Sequence, residues 1–214
     1  MPSLSLVLDL SASLYMGLVD AAGRTVSFRI RENVRGESAH AILDEILAEA
    51  GTGPAGIAEI CIGIGPGSFT GIRVGVALAQ GIAFAGRLPL YPFSSLAAML
   101  ACAPAAAADS IAAIAANGGR YYAARGRPPI ESLLSGAELL ALASDPAVIV
   151  TSGPVPDRAR LAAAFETSAR LEEIMDFGKV MRLAKTAAPV TDGVIRPNYL
   201  MASAAEEKRR AAEA

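Results

Sequence analysis

The sequence predicts an α/β protein built from two related halves. Three observations carry this reading. The chain opens with three short β-rich runs. A continuous apolar run then passes through a glycine-rich turn into a long stretch that is almost free of charge. After a Pro/Ala segment near 103–109 a strand-rich pattern starts again. The boundary divides residues 1–103 from 104–201, with 202–214 as a terminal helix or tail.

Leu4 to Asp9, Leu14 to Asp20 and Thr25 to Ile30 read as a meander, with Ala-Ala-Gly at 21–23 turning the chain between the last two. From Ser38 to Gly51, Ala39, Ile42, Leu43, Ile46, Leu47 and Ala50 recur on one helical face, and Gly51 stops the helix. Ala58 to Ile64 is apolar apart from Glu59, as a parallel strand buried on both faces should be. Ile72 to Gly86 is a helix with no charge after Arg73, a composition that predicts a largely buried element. Pro89–Pro92 reads as a strand and Ser94–Cys102 as a serine-capped helix. In the second half, strands are expected at 110–116, 120–125 and 147–151, and helices at 136–144, 157–165 and 171–184.

The 214 residues include 19 Lys or Arg and 21 Asp or Glu, a net charge of −2, so the chain lacks the basic excess that autonomous nucleic-acid binding needs. With 53% hydrophobic residues but only 5% aromatics and no Trp, the core must be built from small and aliphatic side chains that pack closely. Leu88 to Ala108 has membrane-spanning length but contains Pro89, Pro92 and Pro104, which predicts a buried helix with flanking turns. The first residues carry no positive cluster and place Asp9 within the apolar run, so no secretory signal is expected and the chain reads as cytoplasmic. Cys61 and Cys102 read as buried thiols, and with His40 as the single histidine a tetrahedral structural zinc site is not expected. The metal set is therefore none.

The densest motif is Gly65-Pro-Gly-Ser-Phe-Thr-Gly-Ile-Arg-Val-Gly75. Glycines 65, 67 and 71 allow positive φ and close backbone approach where a buried strand feeds a helix. Two readings follow: a tight strand-to-helix turn, or a set of backbone amides that holds a phosphate. The lysine of a Walker loop is absent, and so is the acidic residue that completes a dinucleotide fingerprint. Asp9 at a strand end reads either as a turn acceptor or as a contact to a cation or phosphate-bound water. Arg73 reads as facing a partner or bracing the turn. Gly71, Gly75 and Ala79 form a small-residue row open to a neighbour in the same domain or in another chain.

GPGSFTGIRVGVALAQGIAF, the opening LVLDLSAS, RGESAHAILDEILAEAG and the late RPNYL together resemble the TsaB (YeaZ) family, over most of residues 4–125 and a short piece near 196–200. The resemblance implies the ASKHA (actin-like, sugar kinase, Hsp70) fold. In that fold two related α/β domains surround a cleft, with a mixed five-stranded sheet in the first and a reduced second domain. It implies a role in making N6-threonylcarbamoyladenosine at position 37 of tRNA. In that pathway the family supplies a non-catalytic scaffold, while catalysis belongs to a TsaD-like subunit aided by a TsaE-like ATPase. Catalytic residues are then none. A homodimer is expected in the absence of the partner, tRNA is met only through the complex, and no membrane is involved. No cofactor is bound tightly, with ATP or ADP taken in the complex. The rival is an ASKHA enzyme in its own right, a small phosphotransferase or a glycoprotease-like (M22) peptidase.

The site residues follow the same resemblance. Asp9, Ser11, Gly65, Gly67 and Ser68 are the weak phosphate or nucleotide contacts. The expected interface takes Ala39, Ile42, Leu43 and Ile46 from the first helix. From the second it takes Thr70, Gly71, Arg73, Val74, Gly75, Leu78, Ala79 and Ile82. The chain departs from the family pattern at Leu10, where a hydroxyl residue is usual, and at Glu37, Ala115, Ala116, Asn117, Arg120 and Met201. No function is carried onto those positions. His40, beside Asp44 where a metal-binding helix needs a second histidine, reads as solvated.

Overall fold

In the computed structural model the described residues are 3–32, 38–104, 110–126, 128–142, 148–154, 158–165, 167–190 and 193–200. The proposed boundary segment falls mostly outside them, as do Glu37, Met201 and the tail 202–214. β1 (Leu4–Asp9), β2 (Leu14–Val19) and β3 (Thr25–Arg31) form an antiparallel meander, to which β4 (Ile57–Gly63) and β5 (Leu90–Phe93) add in parallel, in the order β3-β2-β1-β4-β5. The second sheet repeats this plan. β6 (Ile111–Ala115), β7 (Arg120–Arg125) and β8 (Ile130–Ser135) form the meander, β9 (Val148–Ser152) and β10 (Thr167–Arg170) run parallel, and the order is β10-β9-β6-β7-β8. The first strand of each meander is thus the central strand of its sheet. This is a mixed α/β architecture of two five-stranded sheets built on one plan. Both sheets have five strands, so the reduction of the second domain lies in its helices, α4 (Gly136–Ala141), α5 (Arg158–Ala164) and α6 (Leu171–Ile174), which run 4 to 7 residues.

Period-two alternation sorts the first sheet's side chains into two cores. Leu4, Leu6, Leu8, Leu14, Met16 and Leu18 meet α1 (Ala39–Glu49) and α2 (Phe69–Gly86) on one face. Val7, Tyr15, Val19 and Cys61 meet α3 (Ser95–Cys102) and α7 (Phe177–Ala184) on the other, in a cluster that also takes Ala112, Ile114, Tyr122 and Val150 from the second sheet. α7 follows the second sheet in the chain yet packs against β1, β2, β4 and β5 of the first. The second core is therefore shared between the sheets. Its burial pushes the Cys61 thiol up to about 12, which keeps it protonated.

Three expectations need correction. The single helix over 171–184 is two, because Asp176 takes extended backbone and accepts from the Lys179 amide at 2.9 Å, starting α7 afresh. β8 and β10 were not anticipated. The first follows Pro128 and Pro129, and the second is the four-residue run Thr-Ser-Ala-Arg, without apolar alternation. Finally, α2 is not largely buried. Ile72, Gly75, Val76, Ala79 and Ala83 are buried against the sheet, while Phe84 stands 89% exposed. Lack of charge is equally compatible with burial in the chain's own core and with a face left for a partner. By length and composition α2 would also cross a bilayer, but its inner side lies on the sheet and it carries Arg73 and Gln80.

Candidate functional site

A cleft of about 410 Å³ lies between the two domains. Ser11, Ala12, Gly67, Ser68, Phe69 and Thr70 line it from the first, Ile114, Ala115, Ala116, Asn117, Tyr122, Ser152 and Pro154 from the second, and Tyr199 closes one side. None of these lining residues is charged. The glycine-rich turn forms one wall because it is pulled onto the loop after β1. The Ser68 amide donates to the Ser11 carbonyl at 2.6 Å, and a Cβ on Gly67, at φ +156°, would lie 2.3 Å from that carbonyl oxygen. Ser68 caps α2 by accepting from the Gly71 amide at 3.2 Å.

The turn's amides are largely spent inside the chain. Gly65 donates to Ser95 Oγ at 3.2 Å, Ser68 to Ser11, and Gly71 to Ser68. Asp9, 6% exposed, accepts from the Ser11 amide at 2.8 Å and sits over Gly63, away from the cleft lining. Burial pushes its carboxyl up, opposed by hydrogen bonds from Ser95 and Ser11. Of the expected phosphate contacts, Ser11, Gly67 and Ser68 therefore meet at the cleft, while Asp9 and Gly65 do not line it. This geometry favours the tight-turn reading over a phosphate cradle. Leu10, where the family usually has a hydroxyl, packs into the core below Gly71 and Gly75.

Thr70 is exposed in the first turn of α2, with Ser68 as the N-cap. Ser68→Ala is accordingly expected to cost about 1 kcal/mol by loss of the cap, and Thr70→Ala much less, a difference that thermal denaturation of the two variants resolves.

Ala39, Ile42, Leu43 and Ile46 point into the first core, so the outer face of α1 carries His40, Asp44, Glu45 and Glu49 instead. Glu45 and Glu49 pair with Arg29 at 3.2 and 2.7 Å. The row Gly71, Gly75 and Ala79 is also internal. A Cβ on Gly71 would lie 2.0 Å from the Leu10 carbonyl oxygen, one on Gly75 would touch Leu10 and Ile62 at 3.4 and 3.6 Å, and Ala79 is fully buried. These side chains hold α2 to its own sheet and do not reach a neighbouring chain. Arg73 braces the turn. Its guanidinium lies 3.8 Å from the Phe69 ring centroid and donates to the Tyr199 hydroxyl at 3.3 Å, and Phe69 and Tyr199 stack at 5.2 Å.

What α2 leaves outward is apolar. Val74, Leu78 and Ile82 are half-buried, Ala77, Gly81, Phe84 and Ala85 are exposed, and grooves of about 770 and 810 Å³ run along the helix. Pro54, Ala55 and Ile57 wall the first groove, Val190 and Gly193 the second. Phe84, the most exposed large apolar side chain described, lies at the end of the second helix expected to bind a partner but was not among the expected contacts.

Residues 36–134 match the family described as TsaD, tRNA N6-adenosine threonylcarbamoyltransferase. Two relatives are named tRNA threonylcarbamoyladenosine biosynthesis protein TsaB. The one from Haemophilus influenzae is 52% identical over 58 residues, 27% of this chain and 25% of that protein. The one from Escherichia coli is 39% identical over 83 residues, 38% of this chain and 36% of that protein. Over these stretches the chain is similar to the TsaB (YeaZ) family. The aligned stretches thus cover between a quarter and two fifths of the TsaB relatives. Across almost the whole chain the fold agrees with a structure similar to peptidase YeaZ from Pseudomonas aeruginosa, with a TM-score of 0.71 at 20% identity over 93% of this chain and 100% of that one. YeaZ from the same organism gives a TM-score of 0.65 at 19% identity, over 92% and 100%. Among the described residues, no group of three His, Cys, Asp or Glu side chains comes together, and His40 stays on the exposed face of α1.

Proposed function

We propose that this chain is a non-catalytic subunit that binds and stabilises a TsaD-like catalytic subunit in the synthesis of N6-threonylcarbamoyladenosine in tRNA. The observation that carries the reading is the outer face of α2, where Ala77, Leu78, Gly81, Ile82 and Ala85 line one groove and Phe84, near the C-terminal end of the helix, stands 89% exposed on a second. Fully burying one such side chain contributes about 1.5–3 kcal/mol, and a large apolar patch on a soluble domain marks an association surface. The names of the two TsaB relatives supply the pathway, and the TsaD match indicates kinship with the catalytic subunit. The interface is carried by Val74, Leu78, Ile82 and Phe84, and it stabilises the partner by mass action. Without the partner the same face pairs with a second copy. A TsaE-like ATPase and tRNA meet the chain only in the assembled complex.

Reconstitution tests this reading. The chain alone should transfer no threonylcarbamoyl group to tRNA, and adding it to a TsaD-like subunit with the remaining pathway enzymes should raise product formation at least tenfold. Product formed at the same rate without it would refute the proposal.

Nucleotide binds the isolated chain weakly in this account, because the lining of the cleft offers no cation and three amides of the turn are already bonded. Calorimetric titration with ATP is expected to give a dissociation constant well above micromolar. A sub-micromolar value, about −8.2 kcal/mol or tighter, would contradict it.

A further inference from the structure

In addition to the shared apolar core, two separate carboxylates that the reading above does not use bridge the two domains. Glu172, at the start of α6 just after β10, has a side chain 9% exposed. Its Oε1 accepts from the Tyr15 hydroxyl at 2.6 Å, the Gly153 amide at 2.9 Å and the Ser13 hydroxyl at 3.2 Å, and Ser152 Oγ lies 2.5 Å from Tyr15 Oη. Tyr15 and Ser13 belong to the first domain and Gly153 and Ser152 to the second, so one carboxylate oxygen ties both. Its Oε2 is buried without a hydrogen bond, with Arg170 Nε at 3.3 Å. Arg170 also pairs with Glu32, which follows β3.

The second carboxylate is Glu131 on β8. It accepts from the Ser94 hydroxyl, at the mouth of α3, and from Asn198 Nδ2 at 2.7 Å. Asn198 is itself held to the first domain, since its amide donates to the Ile64 carbonyl at 2.8 Å.

β10 and β8 are opposite edges of the second sheet. Across five strands that edge-to-edge width is about 19 Å. The shared apolar core is non-directional and could let one sheet slide over the other, whereas two directional attachments at that separation oppose rotation of one domain over the other. Both lie beside the cleft, through Ser152 at one attachment and through Tyr199, next to Asn198, at the other. We infer that Glu172 and Glu131 are interdomain latches that hold the cleft at a single width, so that this chain does not open and close as a hinge. The inference stands apart from the partner-subunit reading and needs no partner for its test.

Spin labels at Ala48→Cys on α1 and Ala137→Cys on α4, both exposed, report the distance between domains, and the buried Cys61 and Cys102 stay unlabelled. Double electron–electron resonance on the full chain is expected to give one narrow distribution. In Glu172→Ala/Glu131→Ala the distribution should at least double in width. Should that variant lose its far-UV circular dichroism, Tyr15→Phe/Glu131→Gln replaces it. This softer pair keeps both side-chain shapes while removing the Tyr15 bridge and one acceptor oxygen, and it should still broaden the distribution. A folded variant of either pair with wild-type width, or a broad distribution in the wild type, would overturn the inference.

Discussion

Gly67→Val is expected to lower the melting temperature by on the order of 10 °C. Backbone strain at positive φ costs roughly 1–3 kcal/mol, and for a domain of this size each kcal/mol moves the midpoint by about 2–4 °C. At φ +156° the new Cβ would also drive into the Ser11 carbonyl, 2.3 Å away, and break the seam that holds the turn against the loop after β1. Gly75→Leu should destabilise for a different reason, since its side chain enters the packed layer between Leu10 and Ile62. The control is Gly81→Ala. It lies on the same helix with nothing within 4 Å of the added Cβ, so helix propensity alone should raise stability by up to about 1 kcal/mol. Thermal denaturation of the three variants orders them. A Gly67→Val protein that melts with the wild type would show that the turn has room the structure denies it.

Phe84→Asp is expected to weaken partner binding at least thirtyfold with little change in melting temperature. The ring is almost fully solvent-exposed in the isolated chain, so folding loses little when it is replaced. An aromatic anchor desolvated at an interface, by contrast, is worth about 2 kcal/mol or more, which is roughly thirtyfold in affinity. Ala79→Asp reverses the pattern, because Ala79 is fully buried and a carboxylate there has no partner. Binding and melting measured side by side distinguish an interface residue from a core residue on one helix. Equal loss of stability in both variants would place Phe84 in the fold instead.

The fold was legible where the sequence carried period and punctuation together. The opening meander, the α1 face ending at Gly51, and the step from β4 through the glycine-rich turn into α2 all follow from local spacing. The repeated sheet plan showed only as a restart of strands, because β8 and β10 lack alternating apolar residues strong enough to announce themselves. The site was legible in kind but not in direction. Composition singled out the two first helices as association surfaces, yet a helical wheel without a neighbour cannot say which side meets the sheet. As a result Ile42, Gly71, Gly75 and Ala79, all well spaced, proved to be core, and Phe84 was passed over. Nor could local sequence reveal the pairing of Tyr15 with Glu172, 157 positions apart, because such a bond exists only once the two domains have met.

The most direct test of the partner-subunit account is amide hydrogen exchange on the chain, free and saturated with a TsaD-like subunit. The account predicts that a stoichiometric complex forms and that protection on binding concentrates in residues 74–85 and the adjoining 54–57, with the second sheet unchanged. Protection confined to the second sheet with α2 unaltered, or no complex at all, would contradict it.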